Sequence, residues 1–163
     1  MHRILIADDH ESVRNALRDV LSRQNDWAVC GEATNGRSAV SLALELKPDL
    51  IILDFLMPLM NGLTAAAEIS KALPDVAVVL YTMHKSDQLE REAKRAGIKK
   101  VISKVGPFDD FVGELAGLLH GKKTAIGPLG LSDNYAENEP PADLANGSDT
   151  RSPGKTPKDG SFP

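Results

Sequence analysis

Four short apolar runs in this chain each end on a polar side chain able to do chemistry. Ile4-Leu5-Ile6-Ala7 leads into Asp8 and Asp9, Leu50-Ile51-Ile52-Leu53 into Asp54, Val76-Ala77-Val78-Val79-Leu80-Tyr81 into Thr82, and Val101-Ile102-Ser103 into Lys104. If the runs are parallel strands of one sheet, their carboxyl ends share the edge at which open α/β sheets place their sites. Three carboxylates, a hydroxyl and an ammonium then converge. The carboxylates are hard ligands for a divalent cation such as Mg2+ (or Mn2+), which would neutralise charge on a transferring phosphoryl group. Asp54, on the central strand, is the natural nucleophile, because a carboxylate can form an acyl phosphate. Lys104 would supply a fixed positive charge and Thr82 a hydroxyl donor. Taken singly, a strand-end Asp is also a helix cap, Thr a turn residue and Lys a solvated charge. Their joint placement on one edge favours the chemistry.

The intervening segments carry apolar residues at helical spacing. Val13, Ala16, Leu17, Val20 and Leu21 form one stripe; Ala39, Val40, Ala43 and Leu44 a second; Leu63, Ala66, Ala67, Ser70 and Leu73 a third, rich in small residues. Leu89, Ala93 and Ala96 make a thin fourth, and Phe108, Phe111, Val112, Leu115, Leu118 and Leu119 a broad fifth. Breakers separate them at Lys47-Pro48-Asp49, Leu73-Pro74-Asp75 and Ala96-Gly97. The pattern predicts five βα units. That is too few for an eight-unit barrel and right for an open, doubly wound parallel sheet with helices on both faces.

The chain has 163 residues and a formal charge of −4, with no basic stripe, so direct nucleic-acid binding is not expected. No apolar stretch reaches the ~20 residues of a membrane span, and the first residues lack the pattern of a signal peptide, so a cytoplasmic location is expected. The lone cysteine, Cys30, reads as a buried structural thiol. Residues 1–120 read as one domain. From 121 to 163 the chain is studded with proline and glycine, and its apolar residues show no sustained period, so this tail reads as disordered apart from a short docking turn around Ile126 to Tyr135.

Asp8-Asp9, Asp54 within Leu53-Asp54-Phe55-Leu56-Met57-Pro58-Leu59-Met60-Asn61-Gly62, Thr82 and Lys104 together resemble the receiver domain of bacterial two-component response regulators. Thr82-Met83-His84 and Gly31-Glu32-Ala33 look most like receivers that precede LuxR-type DNA-binding domains. The resemblance spans about Met1 to His120. It implies a flavodoxin-like (βα)5 fold with strand order 2-1-3-4-5. It further implies that Asp54 accepts a phosphoryl group from a histidine kinase or phosphotransfer protein. The Mg2+ would be held by Asp9, Asp54 and the backbone carbonyl of Leu56, assisted by Asp8, with Thr82 and Lys104 on the phosphoryl group. Phosphorylation would draw Thr82 inward and reshape the face made by the fourth helix, fifth strand and fifth helix.

Several positions depart from that family. An aromatic residue often stands three positions before the lysine; here it is Val101. The proline that often follows the lysine is delayed in Lys104-Val105-Gly106-Pro107. After His120 no paired amphipathic helices with a basic face appear, so output is expected from docking of the receiver, from the tail or from a phosphorelay step. Leu56 and His84 occupy positions that flank the attacking water in such receivers, and the apolar Leu56 suggests slow self-dephosphorylation. The mixed charges of the fourth helix suggest a weak receiver homodimer. Two other readings compete: a phosphorylation-independent binding module on the same fold, and a metal-dependent phosphohydrolase. The second suffers from Leu56 standing where a general acid would be needed.

Overall fold

The computed structural model describes residues 1–121. Strands and helices alternate along the chain: β1 His2–Ala7, α1 Glu11–Ser22, β2 Trp27–Ala33, α2 Gly36–Leu46, β3 Leu50–Leu53, α3 Gly62–Ala72, β4 Ala77–Thr82, α4 Asp87–Arg95, β5 Lys100–Ser103 and α5 Phe108–His120. All neighbouring strands pair in parallel, in the order β2-β1-β3-β4-β5. This is the open, doubly wound sheet that the alternation predicts, in the flavodoxin-like strand order that the resemblance implies. Residues 122–163, where the sequence analysis expects a disordered tail and a short docking turn around Ile126 to Tyr135, lie outside the described residues.

Alternation along each strand sends side chains to two cores. Leu5, Ala7, Ile51, Leu53, Val78 and Leu80 face α2, α3 and α4; Ile4, Ile6, Leu50, Ile52, Val79 and Tyr81 face α1 and α5. Burial on both faces explains why the strands read as unbroken apolar runs instead of alternating ones.

The helix stripes need adjustment. In α3 the buried face is Ala65, Ala66 and Ile69, while Ala67 is exposed. In α2 Ala39 and Ala43 meet the sheet and Leu44 is 46% exposed. In α2 the small residues face the sheet, bringing the backbone close, and the larger Leu44 is turned away; in α3 Ala65 and Ala66 face it together with the larger Ile69. Val76 precedes β4, whereas Thr82 is its last residue. Cys30 is only partly buried. It is the extra residue where β2 slips against β1, since Ile4 pairs with Val29 and Leu5 with Gly31. Burial pushes its thiol above the usual range, which suits a structural residue better than a reactive one.

Side-chain caps fix where helices begin. Asn35 accepts the N–H of Ser38, Asn61 that of Thr64 and Ser86 that of Leu89. Two glycines then let the loop after β3 lie close. A Cβ on Gly36 would stand 2.2 Å from the carbonyl oxygen of Met60, and one on Gly62 2.1 Å from that of Asp54. Backbone atoms cannot yield as a flexible side chain would. Gly62→Ala is therefore expected to lower stability by about 1–3 kcal/mol, the range for overpacking. Urea denaturation checks this, and an unchanged midpoint would show that the loop gives way freely.

Candidate functional site

Register decides which side chains meet. Ala7, Leu53 and Leu80 lie level across β1, β3 and β4, so Asp8 and Asp54 are each one step past the same level. The N–H of Asp54 donates to the carbonyl of Ala7 at 2.8 Å, carrying the pairing one residue beyond β3. Thr82 pairs with Ser103, and the N–H of Lys104 donates to the carbonyl of Thr82 at 2.8 Å. Lys104 thus starts further along the edge, and its long stem carries the ammonium back over the two carboxylates.

There the ammonium is shared. Lys104 Nζ lies 2.5 Å from Asp8 Oδ2 and 2.8 Å from Asp54 Oδ1. All three groups are buried: the side chains of Lys104, Asp8 and Asp54 are 10%, 2% and 8% exposed. The remaining carboxylate oxygens take backbone donors. Asp8 Oδ1 accepts the N–H of His10 at 2.9 Å, and Asp54 Oδ2 that of Leu56 at 3.1 Å.

One cation between two anions leaves an excess of negative charge. Burial pushes the Asp54 carboxyl above its usual range; Lys104 pulls it back, and the charge of Asp8 adds to the rise. For Lys104, burial alone would lower the pKa. The hydrogen bonds and charges of Asp54 and Asp8 outweigh it and hold the ammonium above the ordinary lysine range. Asp54 is thus raised chiefly by its burial, whereas Lys104 has two carboxylate partners that outweigh its own burial.

The other residues anticipated from sequence fall around this core. Asp9 is exposed and faces His10, whose Nδ1 lies 2.8 Å from its Oδ1. Thr82 is buried, and its Oγ1 accepts the N–H of His84 at 3.2 Å; among the described residues no hydrogen bond joins it to the carboxylates. The His84 and Leu56 side chains are exposed, Leu56 at 60%. Val101 is buried in the core on the α4 side, leaving no aromatic ring there. The nearby ring is that of Tyr81, over which Lys104 Nζ sits 5.7 Å from the centroid.

Sequence reasoning missed three contributors. Arg14 donates from Nη1 to the carbonyl of Asp8 at 2.9 Å and from Nε to Glu32 at 3.2 Å, so it ties α1 and β2 to the end of β1. Glu32 also pairs with Arg18. The spacing of Arg14 and Arg18, one turn apart on α1, was the available signal. The third is His10, which lies beside Asp8 and Asp9 and caps α1 without a side-chain hydrogen bond to its backbone. The carboxylates of Asp8, Asp9 and Asp54 are an oxygen set with negative charge to spare, which fits a divalent cation of the Mg2+ type.

The sign of the Asp54 shift gives a stability test. A raised carboxyl contributes stability at pH below its unfolded pKa, and this is lost as pH rises through the folded value. Asp54→Asn removes that loss, so the variant is expected to be more stable than the native chain at pH 7, with the gain shrinking in acid. Lys104→Ala leaves two buried carboxylates without a cation, at a cost of about 3–5 kcal/mol. Urea midpoints across pH check both, and a native chain that outlasts Asp54→Asn at pH 7 would contradict the first. The contribution of Lys104, raised likewise, persists at neutral pH and is lost only as pH climbs through its folded value.

A family profile described as the response regulator receiver domain matches residues 4–116. Response regulator protein VraR of Staphylococcus epidermidis is 41% identical over 108 residues, covering 66% of this chain and 52% of that protein. The chain thus spans about half the length of the curated relatives it matches. A two-component response regulator of the LuxR family from Aurantimonas sp. SI85-9A1 superposes with a TM-score of 0.71 at 27% identity, covering 74% of this chain and 86% of that one. The response regulator domain of Thermotoga maritima CheB does so with a TM-score of 0.66 at 31% identity, covering 74% and 95%. Among the described residues no helix is long and apolar enough to cross a membrane. With the profile spanning both cores and every strand end of the site, the chain belongs to the response regulator receiver domain family.

Proposed function

We propose that this receiver takes a phosphoryl group onto Asp54 from the phosphohistidine of a histidine kinase or phosphotransfer protein, and signals through protein contacts. The observation that carries the reading is the ammonium of Lys104 held 2.8 Å from Asp54 and 2.5 Å from Asp8 at the sheet edge. An Asp54 oxygen attacks phosphorus as the phosphorus–nitrogen bond breaks, and the electron pair leaves with the imidazole. Lys104 is already in place to meet the negative charge of the product. Its hydroxyl makes Thr82 a donor for a phosphoryl oxygen, and movement of Thr82 would pass the change to α4 and β5. Mg2+ or Mn2+, held by Asp9, Asp54 and the Leu56 carbonyl with Asp8 behind them, would supply charge neutralisation for the transfer.

Two rival readings have less support. A phosphohydrolase needs a general acid near the nucleophile, and the position two residues on is the exposed, apolar Leu56. A module that had given up phosphorylation would have no use for a buried ammonium and two buried carboxylates, which are costly to hold together.

Intact mass after incubation with acetyl phosphate should show one added phosphoryl group, dependent on Mg2+ and absent in Asp54→Asn. Absence of the adduct, and of a beryllofluoride complex, would overturn the reading. Because Leu56 cannot hydrogen-bond a water, the adduct is expected to be long-lived, and Leu56→Asn to shorten its lifetime; an unchanged decay rate would remove Leu56 from that role. A weak dimer through the charged face of α4 is expected on activation, and sedimentation unchanged by the phosphoryl group would count against it.

A further inference from the structure

We propose that Arg14 is a positioning residue for the cation site: by gripping the peptide between Asp8 and Asp9 it fixes where the Asp9 carboxylate stands, and so sets the affinity for Mg2+. The inference rests on the divalent-cation reading above and adds to it a residue that acts from behind the ligands. β1 ends at Ala7, and its pairing with β2 reaches one residue further through the N–H of Asp8, which donates to the carbonyl of Ala33 at 3.1 Å. Asp9 comes after that support. The Asp8 side chain is held by Lys104 and by the N–H of His10, and its carbonyl is taken by Nη1 of Arg14 at 2.9 Å. Because a peptide unit is planar, fixing that carbonyl also fixes the N–H and Cα of Asp9 and narrows the directions in which its carboxylate can leave the chain.

The surroundings favour this role over an ordinary surface ion pair. Nε of Arg14 donates to Glu32 Oε2 at 3.2 Å, while Nε of Arg18 donates to Glu32 Oε1 at 2.7 Å, so each carboxylate oxygen is held by one guanidinium. Glu32 stands on β2 level with Ile6 of β1. Arg14 therefore needs a planar fork that donates in two fixed directions at once, which an ammonium does not offer. Its side chain is only 13% exposed, and a charge so far withdrawn from water is costly unless it is paired and hydrogen-bonded. Glu32 answers two guanidinium groups with one charge, so by charge alone the cluster repels a nearby cation. Geometry and charge thus predict opposite signs when Arg14 is removed.

The test titrates the full chain with Mg2+ alone and follows backbone nitrogen-15 resonances in the native protein, Arg14→Lys and Arg14→Gln. Arg14→Lys keeps the charge and loses the fork; Arg14→Gln loses both. Each is expected to weaken Mg2+ by about tenfold or more, the scale of loss when a group that orients a metal ligand is removed. With acetyl phosphate, the Mg2+ concentration for half-maximal adduct formation should rise in step, while the rate at saturating Mg2+ matches the native one. Unchanged Mg2+ affinity in either variant, whatever happens to the urea midpoint, would make Arg14 only a brace for α1 and overturn the inference, as would tighter binding in Arg14→Gln. If the native chain itself binds no Mg2+, the divalent-cation reading falls, and the role of Arg14 with it.

Discussion

The site depends on one buried ammonium with two claimants. Lys104 neutralises Asp8 and Asp54 together, and neither carboxylate is fully compensated. A buried charge pair is poor value for stability, because the loss of hydration is large and the attraction repays it only in good geometry. Here the imbalance is the functional quantity. It leaves the edge attractive to cations while keeping a positive charge beside the carboxylate that would receive phosphoryl. Removing any of the three charges alters the other two.

The rest of the fold holds that cluster in register. Parallel pairing sets Ala7, Leu53 and Leu80 level, and that alignment brings Asp8 beside Asp54. Arg14 clamps the carbonyl of Asp8 from α1, Gly62 lets α3 start against the carbonyl of Asp54, and Asn61 caps the same helix. The loop between them holds Leu59 at a φ of +65°, a left-handed conformation uncommon for a branched apolar residue. Such a feature persists where the surrounding packing fixes it, here by the close approaches at Gly36 and Gly62.

Much of this was legible in the sequence because the governing patterns are local. An apolar run ending on Asp, Thr or Lys identifies a buried strand and its functional end at once. The same locality fails for helix faces: Ala65, Ala66 and Ala67 look alike in a string, and only the angle of α3 on the sheet buries the first two. The sharing of Lys104 is also beyond a sequence reading, since residues 8 and 104 meet only through register across three strand pairings. His10 and Arg14 were passed over for another reason. Each stands inside a helix start, where a polar residue ordinarily means capping or solvation.

The most direct test of the shared ammonium is a nitrogen-15 nuclear magnetic resonance titration of the Lys104 side chain in the native chain, Asp8→Asn and Asp54→Asn. Two carboxylate partners predict an ammonium that titrates above the ordinary lysine range, falling stepwise as each partner is neutralised. A Lys104 that titrates at or below that range, indifferent to either substitution, would contradict the account.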